Sequence, residues 1–218
     1  MEGDGFERYE RQLILKGFGL EAQQKLSKAK VLVVGAGGLG CPALQYLTAA
    51  GVGMIGVVDH DTISLNNLHR QILYSNDEIG KLKSEVASTK LRDLNPEIII
   101  HAFPFRLVKN NIIQLLSNYD FILDCTDNFV SRYLINDACI LLRKPLVFAA
   151  ISGYEGQIAI FNVADEAGNS TNYRDLFPIP PNPEEVPNCA ESGVLGALSG
   201  IIGTMQAAEA IKLITGLK

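Results

Sequence analysis

The chain has 218 residues, 47% hydrophobic and 20% charged, with a net charge of −5 and a pI near 5.2. This is the composition of one globular domain with a filled core. The acidic balance argues against non-specific nucleic-acid binding, which feeds on clustered Lys and Arg.

In chain order, residues 6–15 and 20–29 carry two helical patterns, parted by Lys16-Gly17-Phe18-Gly19. They form an N-terminal helical arm over residues 1–29. The run KVLVV follows, and its unbroken apolar stretch Val31 to Val34 suits a parallel strand covered on both faces. It ends in a glycine turn, and a helix is expected from Leu39 to Ala50. Met54 to Val58 predicts a second strand, ending at Asp59. A polar stretch then leads to a helix over 80–94, stopped by Asn95-Pro96. Further strands are expected at 98–103, 120–124 and 146–150, with helices at 109–117 and 128–142 between them. Strands alternating with helices at this spacing mean βαβ units and a mostly parallel sheet.

The rhythm then changes. Phe148–Ser152 and Gln157–Asn162 flank Gly153-Tyr154-Glu155-Gly156, an antiparallel hairpin extension. Residues 163–188 are rich in Pro, Asn and Glu and read as a flexible loop. Gly193 to Leu217 closes the chain as a buried helix. The expected fold is a single Rossmann-like α/β domain over 1–218.

Apolar runs are interrupted by Gly or charge well short of the ~20 residues that span a membrane. The opening MEGDGFERYERQ is acidic and does not read as a signal peptide. The four cysteines, Cys41, Cys125, Cys139 and Cys189, form no C-x-x-C pair, so neither a disulfide framework nor a zinc site is expected. A reducing cytoplasm is the simplest home.

Gly35-Ala36-Gly37-Gly38-Leu39-Gly40 fits G-x-G-x-x-G, directly after a strand and opening a helix. Glycines let the backbone approach a phosphate, and the helix start offers unpaired N–H groups. Asp59, 19 positions past Gly40, is placed to hold a ribose. That much also suits an NAD-dependent oxidoreductase. Asn67, Arg70, Lys83 and Asp127 do not, because they gather two cations, an amide and a carboxylate beyond the strand ends. Two cations suit a triphosphate, and a carboxylate suits Mg²⁺. The plainer alternative makes Arg70 and Lys83 solvated charges and Asp127 a helix cap.

The runs RYERQLIL, VVGAGGLGCPALQYLTAAGVG, VDHDTISLNNLHRQ, GKLKSEVA, DCTDNFVSRYLIND and CAESGVLGALSGIIGTMQAAEAIKLITG closely resemble the MoeB/ThiF/HesA family of ubiquitin-activating-enzyme-like adenylyltransferases. The resemblance implies adenylation of the C-terminal Gly-Gly of a β-grasp, ThiS/MoaD-type sulfur carrier by MgATP, with release of pyrophosphate, in thiamine- or molybdopterin-type sulfur transfer. It implies that Gly35, Gly37, Gly38 and Gly40 face the phosphates. Asp59 would hold the ribose, with Asp61 beside it. Asn67, Arg70 and Lys83 would contact phosphates, Gln71 would lie nearby, and Asp127 would bind Mg²⁺. Arg11 matches an arginine that reaches into a partner subunit's site, which implies a homodimer. Cys189 matches a cysteine that some members acylate or oxidise with the carrier; a small packed residue is the equal alternative.

The pattern departs from the family at one point. Relatives with a structural zinc carry C-x-x-C where this chain has Asn172-Tyr173-Arg174-Asp175, and no second pair occurs within the 218 residues. No structural zinc is expected. The competing functions are adenylation of a different carboxylate and a non-catalytic module that binds a carrier protein.

Overall fold

The computed structural model describes residues 7–181 and 193–217. Six strands form one sheet: β1 (Lys30–Val34), β2 (Met54–Val58), β3 (Ile99–Phe103), β4 (Phe121–Asp124), β5 (Leu146–Ser152) and β6 (Glu155–Phe161). Their order is β3-β2-β1-β4-β5-β6, parallel throughout except for the β5/β6 pair. The helices are α1 (Glu10–Leu13), α2 (Gly19–Lys28), α3 (Gly40–Ala49), α4 (Lys83–Leu94), α5 (Ile112–Leu116), α6 (Phe129–Leu142), α7 (Tyr173–Leu176) and α8 (Gly196–Thr215).

The apolar run of β1 is divided between two cores. Val31 and Val33 join the core under α2, α3, α4 and α8, whereas Leu32 and Val34 join the core under α5 and α6. A strand sends successive side chains to opposite faces, so a sheet covered on both faces needs the unbroken run seen in the sequence. Helix α8 lies against α3 at very short range. A Cβ on Gly203 would sit 2.3 Å from the Leu39 carbonyl, so glycine sets the closeness of that crossing.

The hairpin is tighter than the sequence suggests. Ser152 pairs with Glu155, leaving Gly153-Tyr154 as a two-residue turn with Gly153 at φ 55°. The stretch read as a loop from 163 contains structure of its own. Asn172 and Asp175 close a reciprocal capping box that starts α7, and Tyr173 is buried among Tyr133, Phe148, Phe161 and Phe177. Proline and polar content hid this element, because its anchor is one aromatic side chain and a cap. No helix among the described residues is long and apolar enough to cross a membrane.

Candidate active site

Strand order reverses between β1 and β4, since one crossover leads from β1 to β2 and a later one returns from β3 to β4. The ends of β1 and β4 therefore splay into a crevice, the place where open α/β sheets bind ligands. A cleft opens there. It is lined by Gly35, Gly37 and Gly38 after β1, by Asp59 and Asp61 after β2, and by Asp127 and Asn128 after β4. Arg70, Gln71, Lys83 and Arg132 add to its charged and polar wall, together with His60, Arg106, Thr126 and Ser131.

The glycine turn is fixed by sterics. Gly35 has φ 97°, and a Cβ there would lie 2.7 Å from the Cys125 carbonyl. Gly40 sits behind the turn rather than in the cleft, and a Cβ on it would come within 2.0 Å of the Gly35 carbonyl. The two outer glycines of the motif thus shape the turn, while Gly37 and Gly38 present backbone to the cleft.

Hydrogen bonds tie the turn to the second strand and to α4. Asp59 accepts the Ala36 N–H at 2.8 Å and the Asp61 N–H at 2.9 Å. The Ser84 hydroxyl donates to the Asp59 carbonyl at 2.8 Å, and the Tyr74 hydroxyl donates to the Ala36 carbonyl at 2.8 Å. Burial raises the Asp59 carboxyl above its ordinary range, with Lys83 pulling it back. Lys83 is only 5% exposed, and its ammonium pairs with Asp61 at 3.2 Å. Gln71 is buried with its amide oxygen unpartnered, and it lines the cleft.

Other expected residues fall elsewhere. Asn67 does not line the cleft, and its amide donates to the neighbouring Asn66 side chain at 3.0 Å. Its carbonyl accepts the N–H groups of Arg70 and Gln71, so it turns the segment that carries them. Arg11 is exposed on α1 and is absent from the cleft wall. Cys189 lies outside the described residues. The cap of α6 is Asn128 rather than Asp127, because Asn128 has extended backbone and its side chain accepts the Ser131 N–H at 2.9 Å. Asp127 is left on the exposed wall of the cleft. Cys41, Cys125 and Cys139 are free and buried, and burial raises all three thiols, Cys41 to about 12.

Sequence reading missed Arg132 and Asp124. Arg132 is 7% exposed on α6, stacked on the Phe129 and Phe148 rings, and it lines the cleft. Asp124 is 1% exposed. One of its oxygens accepts both donors of Thr126, and the other has no partner. The available signal was an arginine spaced with Phe129 and Asn136 on one face of an apolar helix.

A glycine turn opening a helix, an acid ending the next strand, and cations facing a carboxylate across the switch point define a nucleotide-binding α/β domain. The ThiF family model matches residues 9–218, and the chain belongs to that family.

A sulfur carrier protein adenylyltransferase from Thermus thermophilus is 50% identical, over 97% of this chain and 78% of that protein. The adenylyltransferase and sulfurtransferase MOCS3 of Drosophila sechellia is 49% identical over 100% of this chain, which spans 47% of that protein's length. The chain thus spans about half the length of its MOCS3 relatives. Escherichia coli MccB has the same fold, with a TM-score of 0.81 at 22% identity, covering 100% of this chain and 64% of that one.

Proposed function

We propose that this chain uses MgATP to adenylate the C-terminal Gly-Gly carboxylate of a small ubiquitin-like sulfur carrier, releasing pyrophosphate, within thiamine- or molybdopterin-type sulfur transfer. The observation that carries the proposal is the cleft at the switch point, where the glycine turn, Asp59, Arg70, Lys83 and Asp127 converge. The names of the relatives, a sulfur carrier protein adenylyltransferase and MOCS3, supply the substrate class. MccB solved with ATP supports the nucleotide.

The chemistry is attack of a carboxylate oxygen on the α-phosphorus. The new O–P bond forms as the bond to the bridging oxygen breaks, and pyrophosphate leaves with the electron pair. Both reactants are anions, so the barrier is charge repulsion and alignment. No protein nucleophile or general base is needed. Asp59 binds the ribose, with Asp61 beside it. The N–H groups of the glycine turn, Arg70, Lys83 and Gln71 hold the phosphates, and Asn67 shapes the turn that presents Arg70.

Asp127 is the carboxylate that fits Mg²⁺, because it is exposed in the cleft. The ion neutralises phosphate oxygens when bound.

The chain works as a homodimer. Arg11, exposed and outside its own cleft, reaches the partner's nucleotide, and Ile201 and Met205 on α8, 57% and 51% exposed, offer apolar surface for a second copy. Free buried cysteines suit a reducing cytoplasm. One sheet with a core on each face supports a single domain. The 172–175 segment needs no zinc, because its cap closes on Asn172 and Asp175.

The test is exchange of labelled pyrophosphate into ATP with each candidate Gly-Gly carrier. Carrier-dependent exchange that collapses in Lys83→Ala and Asp127→Ala establishes the reaction. ATP binding without exchange moves the function to another carboxylate or to carrier binding alone.

A further inference from the structure

Charged and titratable side chains line the cleft on both flanks, Arg106 and His60 among them. The glycine turn, Asp59, Arg70 and Lys83 lie on the β1/β2 side, whereas Arg132 stands on the α6/β5 side with Asp127, Ile151 and Val194. Arg132 is held by packing rather than by an ion pair. Its guanidinium lies 5.0 Å from the Phe129 ring centroid and 5.7 Å from that of Phe148, and its Nε is buried without a partner. From the α7 side, burial raises the Tyr173 hydroxyl pKa, and Arg132 lies close enough to pull it back. Behind it, the second oxygen of buried Asp124 is also unpartnered. A buried cation with an unpaired Nε is costly unless a ligand takes that donor.

We propose that Arg132 is a catalytic residue that receives the carboxylate about to be adenylated, while the apolar wall beside it seats the glycine tail. The inference rests on the adenylation reading above. A guanidinium binds a carboxylate in a planar fork. Each oxygen in that grip takes one N–H and keeps a second lone pair, and it is such a lone pair that attacks the α-phosphorus beside Asp127. Asp124 supplies background negative charge that keeps the cation in place without occupying its donors. The apolar side chains of Ile151 and Val194 offer a wall against which a Gly-Gly tail can lie.

The experiment compares the full-length wild type with Arg132→Met and Arg132→Lys. ATP affinity is measured by equilibrium dialysis. Carrier affinity is measured with one Gly-Gly carrier made as the free acid and as its C-terminal amide, and pyrophosphate exchange follows turnover. The expected result is an unchanged ATP affinity, an acid-over-amide preference that disappears in Arg132→Met, and exchange reduced about 100-fold. Arg132→Lys should recover part of the preference without the fork. If Arg132→Met fails to fold, the same comparison is made with Arg132→Lys.

A variant that keeps the preference, or that loses ATP binding in step with exchange, overturns the assignment of Arg132. A wild-type protein with no exchange and no preference with any carrier overturns the carrier reading, and the assignment with it.

Discussion

Lys83 Nζ lies 3.2 Å from Asp61 Oδ2, the lysine buried and the aspartate more than half exposed. The pair places a cation at the cleft wall while leaving one side of it open to a ligand. Lys83→Met keeps the aliphatic packing and removes the charge. Pyrophosphate exchange should fall about 100-fold or more, with little change in melting temperature. Asp61→Asn strips the partner and should destabilise by about 1 kcal/mol, a modest figure because solvent screens this pair. Urea denaturation and exchange rates, measured together, separate the two roles.

The glycine motif should split into two behaviours. Gly40→Ala places a methyl 2.0 Å from the Gly35 carbonyl, so the turn must open and stability should fall by several kcal/mol. Gly37→Ala meets only the Gln71 amide at 3.6 Å, ordinary contact, and should fold normally. Its methyl instead projects where phosphate would approach, so ATP affinity should drop about tenfold or more. Calorimetry on both variants checks the contrast. Equal destabilisation would mean that the turn is not rigid.

Much of this was legible in the sequence because two periodicities and a set of stop signals carry it. The run Met54 to Val58 is the observed β2, and the β1 apolar run marks a strand buried on both faces. The glycine turn and Asp59 followed from spacing. What was not legible depended on tertiary packing. Tyr173 anchors α7 inside a segment whose proline content reads as loop, and no local pattern announces an aromatic cluster drawn from distant strands and helices. Arg132 reads as one more helix charge until the fold turns it inward. Asp127 and Asn128 are adjacent candidate caps, and only backbone geometry separates them.

Asp124 makes a pH-dependent prediction. Burial pushes its carboxyl from 3.8 up to about 6, against the pull of Thr126 and Arg132. A raised folded-state pKa means that the native protein binds the extra proton. Its contribution to stability is therefore fully present below pH 3.8 and is lost as pH rises through about 6. The rise corresponds to about 3 kcal/mol between the two limits. Asp124→Asn removes this component and leaves a pH-independent offset from the uncompensated Arg132. The stability difference between wild type and Asp124→Asn should therefore fall across pH of about 4 to 7 in denaturation experiments. A constant difference would mean that Asp124 titrates at its ordinary value.

The capping box predicts metal independence. Asp175 accepts the Asn172 N–H at 2.8 Å and its side-chain amide at 2.7 Å, while Asn172 accepts the Arg174 N–H at 2.9 Å. Arg174 adds a paired contact to Asp137 at 2.7 and 2.8 Å. Asp175→Ala should cost about 1 kcal/mol and speed proteolysis between Val163 and Pro181. Dialysis against a chelator should leave the wild-type melting temperature unchanged. A fall on chelation, reversed by Zn²⁺, would show that another ligand set holds a metal.

Gln206 links α8 to β4 and β5. Its buried amide donates to the carbonyls of Asp124 and Val147, both at 2.9 Å, and its oxygen accepts the Cys125 thiol at 3.1 Å. One side chain thus satisfies neighbouring strands just where β4 ends and the segment bearing Asp127 begins. Gln206→Ala removes a buried donor from two strand carbonyls and leaves a cavity, and should lower stability by about 1–3 kcal/mol. It should also loosen the strand end three residues before Asp127. Exchange should then require more Mg²⁺ for half-maximal rate, while affinity for ATP without metal stays near wild type. Loss of stability with an unaltered Mg²⁺ requirement would make Gln206 a packing residue only, and would show that the end of β4 holds its geometry without α8.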